Sequence, residues 1–195
     1  LAAFEGHYAE SAPAALWLFG WVDEAEREVD LGLGLPGGLG LLTTGDPDTP
    51  IVGLDAFDEA DRPPVQSVFQ TYHVMVAIGM ALIALSLLGV VALWRGTLTR
   101  WRWLQRLLLV GVVGPQLAIQ TGWFAAEVGR QPWVVYGLLR TRDAFSPNVG
   151  AASVAASLAL FGVLYALLLA LFVYLLAAKI RGGPTDDLAQ SEVAA

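Results

Sequence analysis

The chain has 195 residues, of which 56% are hydrophobic and only 15% charged, with a formal net charge of -7. A typical soluble domain holds about 45–50% apolar and about 25% charged residues, so an ordinary water-soluble enzyme is a poor description, and the acidic balance argues against nucleic acid as a partner. The absence of cysteine excludes a disulfide framework and a thiolate metal site.

Residues 1–67 are rich in Gly, Pro, Asp and Glu, with 13 acidic residues against only Arg27 and Arg62. Turn signals crowd the segment: GLPGGLG at 34–40, TTGDPDTP at 43–50 and DRPPV at 61–65. Each supplies a positive or a fixed φ where the chain reverses. The segment reads as an irregular polar domain outside a bilayer, with short helices expected around 1–10 and 55–59. The chain opens at Leu1 without an initiator methionine and is expected to be a piece of something longer.

Three apolar blocks follow, at 74–94, 107–126 and 149–178. Each is long enough to cross about 30 Å of hydrocarbon as a helix. The stretches AIGMALIALSLLGVVALW and LALFGVLYALLLALFVYLLAA lack the polar stripe that a soluble surface helix shows at a 3.6-residue period. The expected fold is an all-α integral membrane protein. Transmembrane helices at 68–95, 104–127 and 149–178 follow an extracytoplasmic loop domain at 1–67, the whole forming part of a larger helical bundle. The connection RGTLTRWRWLQR carries Arg95, Arg100, Arg102 and Arg106 without an acid, and Lys179 and Arg181 follow the third block. Short basic loops stay on the cytoplasmic side. That places 96–103 and 179–195 inside, and 1–67 and 128–148 outside. The tail TDDLAQSEVAA reads as a short disordered end, and no internal repeat is present.

Ionisable residues at membrane depth are costly and are functional candidates with a partner to be named. Glu127 lies at the end of the second block and Arg130 follows at i+3, on one helical face if the helix continues, with Pro132 limiting its run. An interfacial Glu–Arg pair flanked by Trp123 and Trp133 in an aromatic belt is the structural alternative. Met75 lies in the first block and His73 precedes it. Both fit gap-filling and interfacial roles, and both side chains are also competent axial ligands of haem iron. Two residues apart on a helix they point about 200° from each other, so one haem takes at most one of them. Gln116 and Gln120, behind Pro115, either satisfy carbonyls freed by a proline kink or hydrate a proton path. The third block offers Ser153, Ser157, Tyr165 and Tyr174 and reads as packing and lipid contact. His7 and His73 are the only histidines, and no HExxH, Walker A, GxGxxG or GxSxG motif appears, which argues against a hydrolase or a nucleotide-driven pump.

GWFAAEVGRQPW at 122–133 resembles the signature near the end of subunit I of the cytochrome bd quinol oxidases. Three stretches agree in the same order. LAAFE at 1–5 resembles the start of that family's periplasmic quinol-binding loop, LWLFGWVDEAEREVDLGLGLPGGLGLLTTGDPDTPIVGL at 16–54 its continuation, and FQTYHVMVAIG at 69–79 the opening of the helix with the methionine ligand. The resemblance implies that Met75 ligates the low-spin haem b that accepts electrons from quinol. It implies that Glu127 ligates iron at the di-haem oxygen site, usually the high-spin haem b beside haem d or a b-type replacement. Arg130 would neutralise haem propionates, Trp123 would pack by the same site, and Glu5 would act in quinol oxidation. His73 stands where better-known members carry an arginine, which leaves it either a propionate partner or a substitute ligand. The spacing of DTPIVGL and FQTYHVM matches the short type of loop, and the lysine expected before LAAFE lies outside this chain.

Only the quinol loop and the last three of the family's nine spans are represented, so the chain supplies half-sites and is not expected to turn over alone. Its implied partners are the N-terminal half of subunit I, subunit II, a small single-span subunit, quinol and the lipid of a bacterial inner membrane. The implied activity is oxidation of quinol at the outer face and reduction of dioxygen to water, with generation of a proton motive force. Two other classes compete with it. One is a haem-free scaffold, and the other is a transporter piece relaying protons through Glu127 and Gln120, although the repeated broken spans of transporters are missing.

Overall fold

The computed structural model describes residues 1–183 and divides into two compact units, the first Leu1–Ala144 and the second starting at Phe145. The tail TDDLAQSEVAA, 185–195, lies outside the described residues. In the first unit the chain forms α1 (Ala2–Glu5), β1 (Leu16–Asp23), β2 (Glu28–Leu35), α2 (Gly38–Thr44), α3 (Val65–Trp94), α4 (Arg102–Gly111), α5 (Gly114–Gly129), β3 (Trp133–Val135) and β4 (Leu139–Arg140). The second unit holds α6 (Ala151–Arg181), apolar around its circumference, with Lys179 and Arg181 in its last turn.

Helices dominate, as the composition implies, and α3 and α6 are each long and apolar enough to cross a membrane. The second expected span, 104–127, is broken. Helices α4 and α5 meet at a 40° bend and are together long and apolar enough for a third crossing if the bent pair is one span. The break falls at Val112 and Val113, just before Pro115 in the first turn of α5. Proline has no N–H to give, and its ring crowds the carbonyl four residues back. Gln116 and Gln120 make no hydrogen bond to those carbonyls among the described residues, and both are exposed. Helix α3 starts directly after Pro63 and Pro64 and ends at Arg95, with Gly96 at φ +64. A glycine in this left-handed conformation is a common helix stop.

The segment expected to be irregular contains an antiparallel hairpin, β1 on β2. The Asp23 carboxylate accepts bonds from the Ala25 and Glu26 N–H groups at 2.8 and 3.1 Å and folds the connection. The expected helix at 1–10 is the single turn α1, and the one near 55–59 appears as two 3-10 turns, Leu54–Ala56 and Glu59–Asp61. Two small cores hold the segment. One joins Ala3, Tyr8, Val22 and Leu54 to Val65, Val68 and Phe69 of α3, and the other joins Ala14, Leu39 and Ile51.

The close pairing in the first unit runs α3 antiparallel to α4–α5. A Cβ built at Gly129 would meet Val68 at 3.4 Å; at Gly122 it would collide with the sulfur of Met75; at Gly114 it would meet Leu82 at 3.0 Å, and at Gly111 Leu85 at 3.0 Å. On α3 these knobs sit at 68, 75, 82 and 85, a heptad-like stripe, and each finds a glycine opposite. Small residues let membrane helices approach where no hydrophobic drive pulls them together.

Phe69 is fully buried and stacks on His73 with ring centroids 3.9 Å apart. Its replacement in Phe69→Ala should cost about 3–5 kcal/mol of stability, read from denaturant unfolding of the purified membrane complex. A loss below about 1 kcal/mol would mean that the site collapses around the gap.

Candidate functional site

On α3, Gln66, Gln70 and His73 stand at i, i+4 and i+7 and share one face. Each is bonded to the backbone of β1. The Val22 N–H donates to Gln66 Oε1 at 2.8 Å, Gln70 Nε2 donates to the Gly20 carbonyl at 2.8 Å, and His73 Nε2 lies 2.9 Å from the Trp17 carbonyl. The other ring nitrogen, Nδ1, lies 2.8 Å from the Phe69 carbonyl. A neutral imidazole can donate to one of these carbonyls and an imidazolium to both. Both His73 nitrogens face protein oxygen, which leaves neither directed at an open ligand position.

The Trp17 backbone is held at its N–H as well. Glu5, the last residue of α1, is 1% exposed, and its Oε2 accepts the Trp17 N–H at 3.0 Å. Burial pushes the Glu5 carboxyl above its ordinary range; the Trp17 bond and the nearby His73 and His7 imidazoles pull it partly back. The indole of Trp17 lies over Gly32 and Gly34 of β2, where a Cβ would strike the ring. The structure thus brings Glu5 and His73 to the two backbone groups of one residue, Trp17. Sequence reasoning missed Trp17, Gln66 and Gln70. The alternation VDLGLGL after an aromatic run was the available strand signal.

Met75 lies on the side of α3 away from His73, half-buried against Gly122 of α5. Trp123, Glu127 and Arg130 stand at i, i+4 and i+7 on another stripe, which Gln116 and Gln120 extend, and all five are exposed. Among the described residues neither Glu127 nor Arg130 takes part in an ion pair. They do not pair with each other.

Beyond α5, Asp61 and Arg140 form an ion pair across 79 positions, and the Arg140 guanidinium sits 4.7 Å above the Trp133 ring. Thr141 Oγ1 donates to Gln131 Oε1 at 2.7 Å. These contacts fasten the small β3–β4 hairpin to the 1–67 segment. A cavity of about 560 Å³ opens between them, lined by Leu54, Phe57, Arg62, Arg130, Trp133 and Tyr136 among others. It brings Arg130 to the edge of the extramembrane segment.

The residues fit the haem that the family resemblance implies. Among the described residues the Met75 thioether makes no hydrogen bond; it packs against Gly122, and one turn further along the same face a Cβ at Gly79 would meet nothing within 4 Å. An open strip therefore lies one turn from the thioether. Glu127 and Arg130 supply an unpaired anion and cation, the partners that iron and a propionate require. No cluster of three or more His, Asp or Glu able to hold a bare metal ion occurs among the described residues. A haem held here would take a single ligand from each candidate, its other ligands coming from elsewhere.

Residues 1–184 match the family model described as cytochrome bd terminal oxidase subunit I. The chain is 32% identical over 197 residues to cytochrome bd ubiquinol oxidase subunit 1 of Bacillus subtilis (strain 168), covering 96% of this chain and 42% of that protein. It is 35% identical over 161 residues to cytochrome bd-II ubiquinol oxidase subunit 1 of Escherichia coli (strain K12), covering 81% of this chain and 30% of that protein. The solved structure of the bd oxidase from Geobacillus thermodenitrificans superposes with a TM-score of 0.72 at 33% identity, over 94% of this chain and 41% of that one. The chain therefore spans about two fifths of the length of the relatives from Bacillus subtilis and Geobacillus thermodenitrificans and under a third of that from Escherichia coli.

The raised Glu5 carboxyl has a consequence for stability. Between the ordinary carboxylate pKa and the raised one, the folded chain keeps a proton that the unfolded chain has released, so stability falls as pH rises through that window. Glu5→Gln keeps an oxygen for the Trp17 N–H and cannot titrate. The melting temperature of the membrane complex should lose pH dependence there in Glu5→Gln, and an unchanged slope would assign the proton to another group.

Proposed function

We propose, because the chain belongs to the cytochrome bd terminal oxidase subunit I family, that it forms the quinol-side loop and final membrane spans of a respiratory quinol:dioxygen oxidoreductase. The observation that carries this reading is the unpaired Glu127 and Arg130. An acid and a base one turn apart on a membrane helix, left without partners, are kept for groups the chain itself does not supply. The chain would work with the N-terminal half of subunit I, subunit II and a small single-span subunit, in a bacterial inner membrane. Residues 1–67 and 128–148 would lie outside, with 96–103 and 179–195 inside.

Bound haem supplies the electron transfer and the oxygen-binding iron. In this reading the site near Met75 takes a low-spin haem b. The site near Glu127 takes the oxygen-reducing pair, a high-spin haem b with haem d or a b-type replacement. Met75 would give its thioether to iron and thereby tune the potential. Glu127 would give a carboxylate whose charge iron neutralises, while Arg130 would pair with a propionate. Trp123 packs beside them. Glu5, whose burial raises its affinity for a proton, would accept one as quinol is oxidised, and His73 would steady the Trp17 backbone that orients it. Each quinol gives up two electrons and two protons. Release of those protons outside, with uptake from inside for water formation, builds a proton motive force without a pump.

The test is a reduced-minus-oxidised optical spectrum of the purified membrane complex, alongside Met75→Leu and Glu127→Ala. Met75→Leu should remove the low-spin haem b band and spare the rest, and Glu127→Ala should remove an oxygen-site band. A wild-type complex without haem bands would sink the oxidase reading and leave the haem-free scaffold.

A further inference from the structure

Among the glycines of the α3–α5 seam, Gly122 alone faces a sulfur. The others receive the branched side chains of Val68, Leu82 and Leu85. Gly122 is also the first residue of the GWFAAEVGRQPW stretch and stands next to Trp123. The space that a methyl group at this position would fill is already held by Met75 Sδ, and the same methyl would lie 3.3 Å from Cγ. Methionine has three rotatable bonds and settles into whatever gap its neighbours leave. Its sulfur therefore has no direction of its own; a wall must give it one. Along α3 the other side of that wall is open, because nothing approaches the Cβ position of Gly79 within 4 Å.

We propose that Gly122 is a positioning residue for the Met75 thioether. Its missing side chain lets Sδ sit back against the α5 backbone, level with the open strip beside Gly79, so that a lone pair is presented to a metal centre there. A side chain at 122 would push the sulfur out of this seat and rotate the lone pair away. Gly122 touches no iron and acts only through Met75, so the inference rests on the reading of Met75 as a haem ligand.

The seam provides its own control. Gly114 meets Leu82 at 3.0, 3.2 and 3.3 Å, so Gly114→Ala crowds the same helix pair without touching sulfur. The experiment compares Gly122→Ala, Gly114→Ala and Met75→Leu in the assembled membrane complex, reading the low-spin haem b band in the reduced-minus-oxidised spectrum and the low-spin iron signal by electron paramagnetic resonance, with total haem as denominator. Gly122→Ala should lose most of the low-spin signal, as Met75→Leu does, while Gly114→Ala keeps it. A wild-type low-spin signal in Gly122→Ala, with Met75→Leu lacking it, would overturn the role of Gly122 and leave the ligand in place. An equal loss in Gly114→Ala would overturn it as well, since general crowding would then explain the effect. So would a Gly122→Ala complex that fails to assemble where Met75→Leu assembles. A low-spin signal that survives Met75→Leu would overturn the ligand reading itself, and this proposal with it.

Discussion

The glycine seam between α3 and α4–α5 is the constraint on which the rest of the first unit depends. In a bilayer, lipid tails satisfy apolar side chains as well as a neighbouring helix does, so two helices hold together through close packing rather than escape from water. Valine, methionine and leucine knobs spaced along one stripe of α3 find glycines opposite, and that pairing sets the register, the distance and the rotation of α3 at once. Met75 then points where it does because its neighbours in the stripe are already seated. The stripe carrying Glu127 and Arg130 is turned away from α3 for the same reason.

The second constraint joins the membrane part to the extramembrane part. Glu5 holds the Trp17 N–H, His73 meets the Trp17 carbonyl, and Gln70 and Gln66 continue the attachment along β1. A residue fixed at both its N–H and its carbonyl has little freedom to turn. The buried carboxylate and the helix bearing Met75 are therefore parts of one rigid assembly, even though one belongs to a glycine- and proline-rich segment and the other to a membrane span. The Asp61–Arg140 pair closes the arrangement from the side of α5.

Much of this was legible in the sequence and some was not. Of the three apolar blocks, the first and third form helices long and apolar enough to cross a membrane, and the residues 75, 127 and 130 stood out as sulfur and charge in apolar surroundings. The kink expected at Pro115 appears as the break between α4 and α5. The hairpin β1–β2 was overlooked because glycines and a turn-rich context masked its alternation; Gly32 and Gly34 are there to admit the Trp17 ring rather than to loosen the chain. The clamps were beyond sequence reading for a simpler reason. Gln70 reaches Gly20 across 50 positions and Arg140 reaches Asp61 across 79, and nothing local in a glutamine or an arginine tells which distant carbonyl or carboxylate it will meet. The lack of a Glu127–Arg130 ion pair was equally invisible, since i, i+3 spacing permits contact without requiring it.

The seam also divides the chain into parts that can change length and parts that cannot. Each residue added to or removed from a helix turns everything beyond it by about 100° and shifts it by about 1.5 Å. A single deletion between Val68 and Leu82 would bring knobs and glycines out of phase along the remaining membrane depth. An insertion in the turn at 96–101, or in the loop around Gly45, whose Cβ position is open, disturbs no such phase, and the entropic cost of a longer loop grows only slowly. Length drift over evolutionary time should therefore collect in the loops, while α3 and α5 keep their residue count.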